Sequence, residues 1–409
     1  MQPHNALVSV ADLDRRDPVR HLRAQFVLPR GTIYLDGNSL GALPRITPGR
    51  LQNVARHWGA DLIGGWNGRG WVDLPQRVGE KIGRLIGARP GETIVADSTS
   101  VNLHKLLSAA LELKPGRRVI LTEAQNFPTD LYVAQGIARL RGAKLRTVPA
   151  ERLASAIDEN VAVLMLTHVN YRTGAMHDLK RLTRLAHARG ALVLWDLAHS
   201  AGAMPLALAR DGVDLAVGCG YKYLNGGPGA PAFLYVAQRH QKRVQSPIPG
   251  WFGHARPFDF APGYEPAAGI TRMLTGTPPV LGLTALEAGV DVLLDADLRA
   301  LRHKSIALAD LFIARIEREL PQFEIVTPRA PRLRGSQVCL RHRHAWPITQ
   351  AHIARGVIGD FRAPDILRFG FAPAYVRYAD VVAAVSRLKA IMKSGEWQQA
   401  KFRKRAKVT

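Results

Sequence analysis

Apolar and polar positions alternate most regularly in the middle of this chain. From about Glu92, short apolar runs such as TIVAD, RVILTEA, VAVLMLTHV and ALVLWDL are separated by helical stretches of about 10–15 residues. Strands that alternate with helices of this length are typical of a parallel sheet covered by helices on both faces. The pattern therefore predicts an α/β domain with a mostly parallel sheet.

The C-terminal part of the chain has a different pattern. The spacing is helical from about Leu283 to Leu320, and EIVTP, SQVCLRH and ILRFGF then predict strands before a closing helix over Tyr378 to Lys393. We therefore expect three parts. They are an N-terminal segment 1–45 that packs with the small domain, a large domain 46–290 and a small α+β domain 291–409.

Composition limits the class of protein. The chain has 409 residues, of which 47% are hydrophobic, as is ordinary for a soluble globular protein. Cys219 and Cys339 are its only cysteines, so no disulfide framework is indicated and a reducing cytoplasm is expected. No signal peptide is predicted, and no apolar run approaches the roughly 18 residues of a membrane span.

The excess of basic residues is the one unusual bulk property. Lys and Arg number 56 against 33 Asp and Glu, which gives a formal net charge of +23. Such a charge suits nucleic-acid binding, but the basic residues are spread along the chain and no zinc-finger or RNA-recognition motif occurs. We favour an enzyme with an arginine-rich surface and a solvated basic tail, KFRKRAKVT.

A carboxylate and a lysine at the ends of two predicted strands are the strongest chemical signal. Asp196 lies near the end of ALVLWDL, and Lys222 follows DLAVGCG and precedes the turn NGGPG. A lysine amine can form a Schiff base with the aldehyde of pyridoxal 5′-phosphate (PLP), and a carboxylate can keep the pyridine nitrogen protonated. Alone, Asp196 can be a helix cap and Lys222 an exposed turn residue, but their joint occurrence favours a PLP site.

Other residues with suitable chemistry also follow predicted strands or lie within them. The hydroxyls of Ser98–Ser100 precede a helix, where they suit a phosphate but equally suit a plain helix cap. Phe127 can stack on a flat ring or pack in the core. Arg368 lies in an apolar strand and needs an anion, either a substrate carboxylate or an internal Asp or Glu.

Several motifs together resemble the kynureninase family of PLP enzymes. They cover most of the chain: YLDGNSLG, GWNGRGW, STSVNLH, NFPTD, LTHVNYRTG, WDLAHSAG, GCGYKYLNGGPG, GWFGH, TGTPP and LRFGFAP. WDLAHSAG with YKYLNGGPG marks a scaffold that cysteine desulfurases share, whereas YLDGNSLG and NFPTD point to kynureninases. The resemblance implies the PLP-dependent transferase fold type I, with a mostly parallel seven-stranded sheet between helices and a smaller α+β C-terminal domain.

The resemblance also implies an activity. It is hydrolytic Cβ–Cγ cleavage of L-kynurenine, with 3-hydroxy-L-kynurenine as an open second substrate, to anthranilate or 3-hydroxyanthranilate and L-alanine. This is a hydrolase reaction on carbon–carbon bonds in tryptophan degradation and NAD biosynthesis. The implied active unit is a cytoplasmic homodimer with shared active sites, without metal, membrane or nucleic-acid partners.

The resemblance assigns roles to residues at matching positions. Lys222 is expected to hold PLP and Asp196 to pair with the pyridine nitrogen. Thr99, Ser100, Tyr221 and Trp251 are expected at the phosphate, and our own candidate for the general acid is Tyr221. The other residues expected at the cofactor are Phe127, Pro128, Thr129, Asp130, Thr167, His199 and Thr277. Trp251 and Thr277 are expected to reach the cofactor of the neighbouring subunit.

The substrate side is assigned in the same way. The chain departs from many relatives where Ser100 replaces threonine, and from some where Thr277 replaces asparagine. Its GWNGRGW loop lacks a histidine of the animal enzymes, so a preference for kynurenine over its 3-hydroxy form is expected by analogy. Four residues are expected near the substrate: Arg368, which binds its carboxylate, and Asn38, Ser39 and Trp66.

Two other functions stay open on the residues alone. A cysteine desulfurase needs a mobile nucleophilic cysteine, but Cys219 and Cys339 both lie in predicted strands. A basic nucleic-acid-binding protein on an inactive scaffold would bind DNA in a salt-sensitive manner and would carry no PLP chromophore.

Overall fold

The structure is a computed structural model that describes residues 9–405. Its two main sheets have seven and four strands. The end of the basic tail, residues 406–409, lies outside the described residues. The N-terminal elements are α1 (Val10–Arg16), β1 (Phe26–Val27), β2 (Ile33–Tyr34) and β3 (Leu43–Pro44). The middle of the chain contains α2 (Thr47–Asp61), α3 (Gly65–Gly68), α4 (Leu74–Ile86), β4 (Thr93–Val95), α5 (Thr99–Leu113), β5 (Val119–Glu123), α6 (Pro128–Arg141), β6 (Lys144–Val148), α7 (Leu153–Ala156), β7 (Val161–Thr167), α8 (Leu179–Ala188), β8 (Leu192–Asp196), α9 (Leu208–Asp211), β9 (Leu215–Gly218), β10 (Phe233–Val236), α10 (Gln238–Gln241) and α11 (Val280–Leu294). The C-terminal elements are α12 (Leu298–Glu319), β11 (Glu324–Ile325), β12 (Gln337–Arg341), α13 (Ala345–Ala354), β13 (Val357–Ile358), β14 (Asp360–Arg362), β15 (Ile366–Gly370), α14 (Tyr378–Ser394) and α15 (Ala400–Arg403).

The large sheet has seven strands in the order β4-β10-β9-β8-β7-β5-β6. Only β10 runs against its neighbours, β4 and β9, so the predicted mostly parallel seven-stranded sheet is confirmed. Every residue of β5, β7, β8 and β9 is buried, as expected for strands covered by helices on both faces. Along β7, Val163 and Met165 join one core, while Leu164 and Leu166 join the other.

The small sheet is antiparallel, with the order β11-β12-β15-β14. The N-terminal segment reaches this region, because β2 pairs in parallel with β13 and Asp36 forms a bridge with Gly370 at the end of β15. These contacts bring the motif YLDGNSLG beside the strand that carries Arg368. The domain boundaries given above remain predictions.

The predicted helical run from Leu283 to Leu320 is two helices, α11 and α12. The chain turns between them because Asp297 begins a new helix, and its side chain accepts a 2.8 Å hydrogen bond from the backbone N–H of Arg299. Helix α13 was not predicted. Within residues 9–405 no helix is both long enough and apolar enough to span a bilayer.

Candidate active site

A cavity of about 250 Å³ opens at the carboxyl ends of the parallel strands. Thr167 ends β7, Asp196 ends β8 and Lys222 follows β9, and these three strands are neighbours, so the chain delivers all three side chains to one edge. The predicted site residues that line the cavity are Thr99, Ser100, Phe127, Thr129, Asp130, Thr167, Asp196, His199, Tyr221 and Lys222.

Two buried carboxylates, Asp196 and Asp130, meet at the bottom of this site. Asp196 Oδ1 accepts a 2.7 Å hydrogen bond from the backbone N–H of Ala198, and Asp130 Oδ2 accepts a 3.2 Å bond from the hydroxyl of Thr167. Burial raises the pKa of both carboxyls, and repulsion from Asp196 raises the pKa of Asp130 further. Asp130 is therefore the more readily protonated of the two carboxyls, and in its protonated form it can donate a hydrogen bond to Asp196.

The motif NFPTD explains how Asp130 reaches this position. Asn126 accepts a 2.7 Å hydrogen bond from the backbone N–H of Phe127 and donates a 3.0 Å bond to Thr122 at the end of β5. Pro128, whose fixed backbone angle suits a helix start, is the first residue of α6. Asp130 consequently lies in the first helical turn, close to the sheet edge.

Lys222 lies in the cavity beside a neutral histidine. Its Nζ donates a 2.9 Å hydrogen bond to His199 Nε2, and it lies 5.9 Å from the centre of the Phe127 ring. Burial, followed by repulsion from Lys222, holds the pKa of His199 well below its usual range. His199 therefore accepts a hydrogen bond from the lysine without adding a second positive charge.

The turn that carries Lys222 packs against the N-terminal segment. The backbone N–H of Gly41 donates a 2.8 Å hydrogen bond to the carbonyl of Tyr221. A Cβ at Gly41 would collide with the carbonyl oxygen of Lys222, so only glycine permits this approach. The YLDGNSLG motif thus helps to fix the backbone of the lysine turn.

The N-terminus of α5 has the features of an anion-binding site. Ser98 caps the helix by accepting a 3.4 Å hydrogen bond from the backbone N–H of Val101, so the cap reading of this residue is correct. Thr99 and Ser100, the first residues of the helix, line the cavity. The hydroxyl of Thr99 is buried and has no hydrogen-bond partner among residues 9–405. A free hydroxyl beside the unpaired amides of a helix N-terminus suits a phosphate group.

Arg368 lies outside this cavity, in a cluster on the small sheet. Its Nε donates a 2.8 Å hydrogen bond to Asp360 Oδ1, and its Nη2 contacts the second oxygen of Asp360 and, at 2.7 Å, the hydroxyl of Ser39. Arg362 also binds Asp360 Oδ2, at 2.5 Å. Of the two partners that the sequence allowed for Arg368, the internal acid is therefore present, and it is Asp360.

Tyr171 joins the cluster to the cavity. Its carbonyl accepts a 2.9 Å hydrogen bond from Arg368 Nη1, while its ring lies edge-on to that of Phe127 with centroids 5.2 Å apart. Arg368 and Arg362 also lie close enough to His199 to lower its pKa. The guanidinium groups thus face the same site as Lys222, from the side of the small sheet.

Besides Pro128, Ser39 and Arg368, four further predicted residues do not line the main cavity. Trp66 and Thr277 share another cleft of about 280 Å³, and Trp251, with 39% of its surface exposed, lines a third. Asn38 is fully buried against Gly370, where a Cβ would collide with its Oδ1. Their roles at the cofactor or substrate remain predictions.

Several residues of this region were not predicted from the sequence, among them Asn126, Tyr171 and Asp360. Asn126 and Tyr171 lie inside motifs that were recognised, NFPTD and LTHVNYRTG, and the motifs were the signal that could have found them. Asp360 lies in none of the recognised motifs. The one signal for it was that a buried arginine such as Arg368 needs an acidic partner. Among residues 9–405, no group of three or more His, Cys, Asp or Glu side chains is arranged to hold a metal ion.

Known proteins resemble the chain over nearly its whole length. Residues 50–220 match the aminotransferase class I and II family, and residues 301–388 match the kynureninase C-terminal domain. The kynureninase of Burkholderia pseudomallei (strain 1106a) is 51% identical over 408 residues, which cover 97% of this chain and 98% of that protein. The kynureninase of Pseudomonas fluorescens is 51% identical over 407 residues, with the same coverage of 97% and 98%.

Solved structures with low sequence identity share the fold. A cysteine desulfurase from Thermococcus onnurineus NA1 has a TM-score of 0.79 at 18% identity and covers 93% of this chain and 99% of its own. A cysteine desulfurase of Escherichia coli has a TM-score of 0.78 at 21% identity and covers 92% and 98%. The predicted PLP-dependent transferase fold type I is confirmed, and the chain belongs to the kynureninase family.

Proposed function

We propose that this protein is a PLP-dependent kynureninase, which hydrolyses the Cβ–Cγ bond of L-kynurenine to anthranilate and L-alanine. The observation that carries the proposal is the convergence of Lys222, His199 and the Asp130–Asp196 pair on one cavity, in a chain 51% identical to named kynureninases. The reaction belongs to tryptophan degradation.

The charged and polar groups that line the cavity are complementary to PLP. Asp130 and Asp196 are two buried carboxyls that face one nearby cation, Lys222, so a protonated pyridine nitrogen would supply a partner for the charge of Asp196. The free hydroxyl of Thr99 and the amides of α5 suit the phosphate. When bound, PLP serves as an electron sink for a carbanion at the substrate Cα.

Lys222 performs the proton transfers in this proposal. Its Nζ would hold the cofactor aldehyde, and the free amine would act as the base that removes the proton from the substrate Cα. His199 orients the free amine through the 2.9 Å hydrogen bond. Asp196 would pair with the pyridine nitrogen and favour its protonated form, and Asp130, the more readily protonated of the two carboxyls, would favour the ionised form of Asp196.

Tyr221 is our candidate for the general acid that protonates the three-carbon fragment after cleavage. Its side chain lines the cavity, with Lys222 Nζ 6.0 Å from the centre of its ring. Burial raises the pKa of the phenol, so Tyr221 keeps its proton until a strong base forms nearby. Arg368 binds the substrate α-carboxylate in this proposal, close to Ser39.

A desulfurase mechanism finds no suitable cysteine. Cys219 and Cys339 are both buried, and burial raises the pKa of both thiols, that of Cys339 to about 11. Neither is a mobile thiolate, which is the nucleophile that this chemistry needs. The two reduced, buried cysteines also support our proposal of a cytoplasmic location, which cell fractionation would test.

We further propose that the active unit is a homodimer with shared sites. Large apolar side chains are exposed on one region of the chain around Trp66 and Thr277, including Trp58 at 61%, Leu62 at 65% and Ile63 at 80% exposure. Burial of this surface by a second copy would remove the apolar area from water. It would also allow Trp251 and Thr277 to reach the cofactor of the partner subunit.

Subunit mixing tests the shared site. A Lys222→Ala protein and a Trp251→Ala protein, each of low activity, should regain turnover when they are unfolded together and refolded, because some mixed dimers contain one complete site. Light scattering should give twice the mass of the chain. A monomer mass, or no gain on mixing, would contradict the shared dimer.

The activity itself is tested with two substrates. L-kynurenine and 3-hydroxy-L-kynurenine are added separately to the PLP-loaded protein, and the fluorescent products anthranilate and 3-hydroxyanthranilate are followed. We expect turnover of kynurenine, and a lower kcat/KM for the hydroxylated form. Absence of turnover with both would refute the assignment.

A further inference from the structure

The cluster around Arg368 contains a second acid that has no cationic partner of its own. Two carboxylates, Asp36 and Asp360, face two guanidinium groups, Arg362 and Arg368. If all four were ionised, the cluster would be neutral before any substrate arrives. An incoming α-carboxylate would then add an uncompensated negative charge to a largely buried site.

Asp360 is fully engaged and stays ionised. It forms ion pairs with Arg368 and Arg362, and it accepts a 2.8 Å hydrogen bond from the hydroxyl of Ser39. These contacts hold the pKa of Asp360 below its ordinary value in spite of its burial.

Asp36 differs from Asp360 in its contacts. Its Oδ1 is buried without a hydrogen-bond partner among the described residues, and it takes part in no ion pair there. Its backbone is fixed, because Asp36 forms a parallel bridge with Gly370 and the N–H of Ser39 donates a 2.9 Å hydrogen bond to its carbonyl. The backbone that carries this side chain is therefore held beside the end of β15.

The surroundings of Asp36 disfavour its charge. Burial and repulsion from Asp360 raise its pKa to about 7, although Arg368, Ser39 and Arg362 oppose the shift. The other titratable groups that face it are the phenols of Tyr34, Tyr223 and Tyr375, which are neutral because burial raises the pKa of each. None of these groups supplies a compensating positive charge.

We propose that Asp36 takes up a proton when the substrate α-carboxylate binds at Arg368, and that it is thereby a positioning residue for substrate recognition. The inference rests on the proposed function, in which Arg368 receives that carboxylate. With Asp36 protonated, the cluster carries one net positive charge before binding and none after it. When Asp36 is ionised, its negative charge offsets part of the attraction of the two guanidinium groups for the substrate carboxylate.

The direction of the pH dependence follows from this exchange. The bound carboxylate raises the pKa of Asp36 above the value of about 7 in the free protein. Carboxylate binding is therefore unaffected by Asp36 at lower pH, and it weakens as the pH rises through that value, by up to about tenfold per pH unit.

A probe with a single titratable group tests the proposal on the PLP-loaded enzyme. 4-Oxo-4-phenylbutanoate has the substrate skeleton without its amino groups, and its amide is a matched probe without the carboxylate. Calorimetry at about pH 8, in two buffers of different ionisation enthalpy, measures the protons taken up per probe bound. We expect uptake approaching one proton for the carboxylate and none for the amide.

Variants assign the proton to Asp36. Asp36→Asn, and Asp36→Ser as a second neutral variant, should abolish the uptake, and Asp36→Glu should retain it. Asp259→Asn is the control, because Asp259 is exposed and its ion pair is with Arg256, which is exposed as well. Absence of uptake by the unaltered enzyme, or undiminished uptake in a neutral Asp36 variant, would overturn the proposal.

The two proposals fail in distinguishable ways. If the proposed function is wrong, kynurenine is not turned over at any pH. If only the role of Asp36 is wrong, kynurenine is turned over, but the enzyme and its neutral Asp36 variants bind the same number of protons with the probe.

Discussion

The two sides of the site satisfy their charges in different ways. On the large sheet, Asp130 and Asp196 are buried together with Lys222 as a nearby cation, so two carboxyls face one positive charge and a cationic ligand would balance them. On the small sheet, Arg368 already has a protein partner in Asp360. The cofactor side therefore needs a ligand to complete its charges, whereas the substrate side keeps its internal partner and must accommodate a further negative charge when the substrate binds.

The largest effect is expected on the cofactor side, at Lys222. Lys222→Ala removes the amine that binds PLP and moves the Cα proton, so kcat for kynurenine should fall by at least about 10³-fold. Lys242→Ala is the matched control, because Lys242 is exposed and is not one of the residues that line the cavity. Equal turnover in the two variants would remove the chemical basis of the assignment.

On the substrate side, the largest loss should be of stability. Asp360→Asn leaves Arg368, which is 2% exposed, without its carboxylate, and breaking such a buried pair costs about 3–5 kcal/mol. Asp365→Asn, whose carboxylate is 27% exposed, should cost only about 0–1 kcal/mol. Urea unfolding measures both, and similar losses would mean that the pair at Arg368 is not buried in solution.

In the cofactor-free protein, the charge of Asp130 lowers the stability of the fold, whereas the charge of Asp360 supports it. Its pKa is raised in the folded state, so its contribution to stability is fully present below its unfolded pKa of about 3.9 and is lost as the pH rises through the folded pKa. The slope reaches about 1.4 kcal/mol per pH unit for one group. Asp130→Asn should flatten the fall of the unfolding free energy with pH. An unchanged slope would show that Asp130 ionises normally.

The smallest effect is expected at Ser39. Its hydroxyl bridges Arg368 and Asp360, and one such hydrogen bond to charged groups contributes about 1.5 kcal/mol. Ser39→Ala should therefore raise KM for kynurenine by about tenfold and leave kcat nearly unchanged. Ser246→Ala, at an exposed turn, is the control. A fall in kcat alone would place Ser39 in the chemistry and not in substrate binding.

The sequence predicted the large sheet and the cofactor side well, for a physical reason. Asp196 and Lys222 interrupt apolar runs at strand ends, and neighbouring parallel strands end at one edge, so local pattern and topology lead to the same place. The seven-stranded sheet followed from the same alternation and from the family resemblance.

The substrate side could not be predicted in the same detail. Arg368 meets Asp360 across a strand pair and meets Ser39 from the other end of the chain, and spacing along the sequence encodes neither contact. In the homodimer that we propose, the roles of Trp66, Trp251 and Thr277 depend on a partner surface, which the pattern of a single chain does not contain. The two helices α11 and α12 were merged because their apolar spacing continues across the cap at Asp297.

The central claim is hydrolysis at the γ-carbonyl of kynurenine, and isotope-labelled water tests it most directly. Turnover by the PLP-loaded enzyme in water enriched in heavy oxygen, followed by mass spectrometry, should give anthranilate with one labelled carboxylate oxygen, together with an equal amount of unlabelled L-alanine. Lys222→Ala should give neither product. Unlabelled anthranilate, or alanine without anthranilate, would contradict the account.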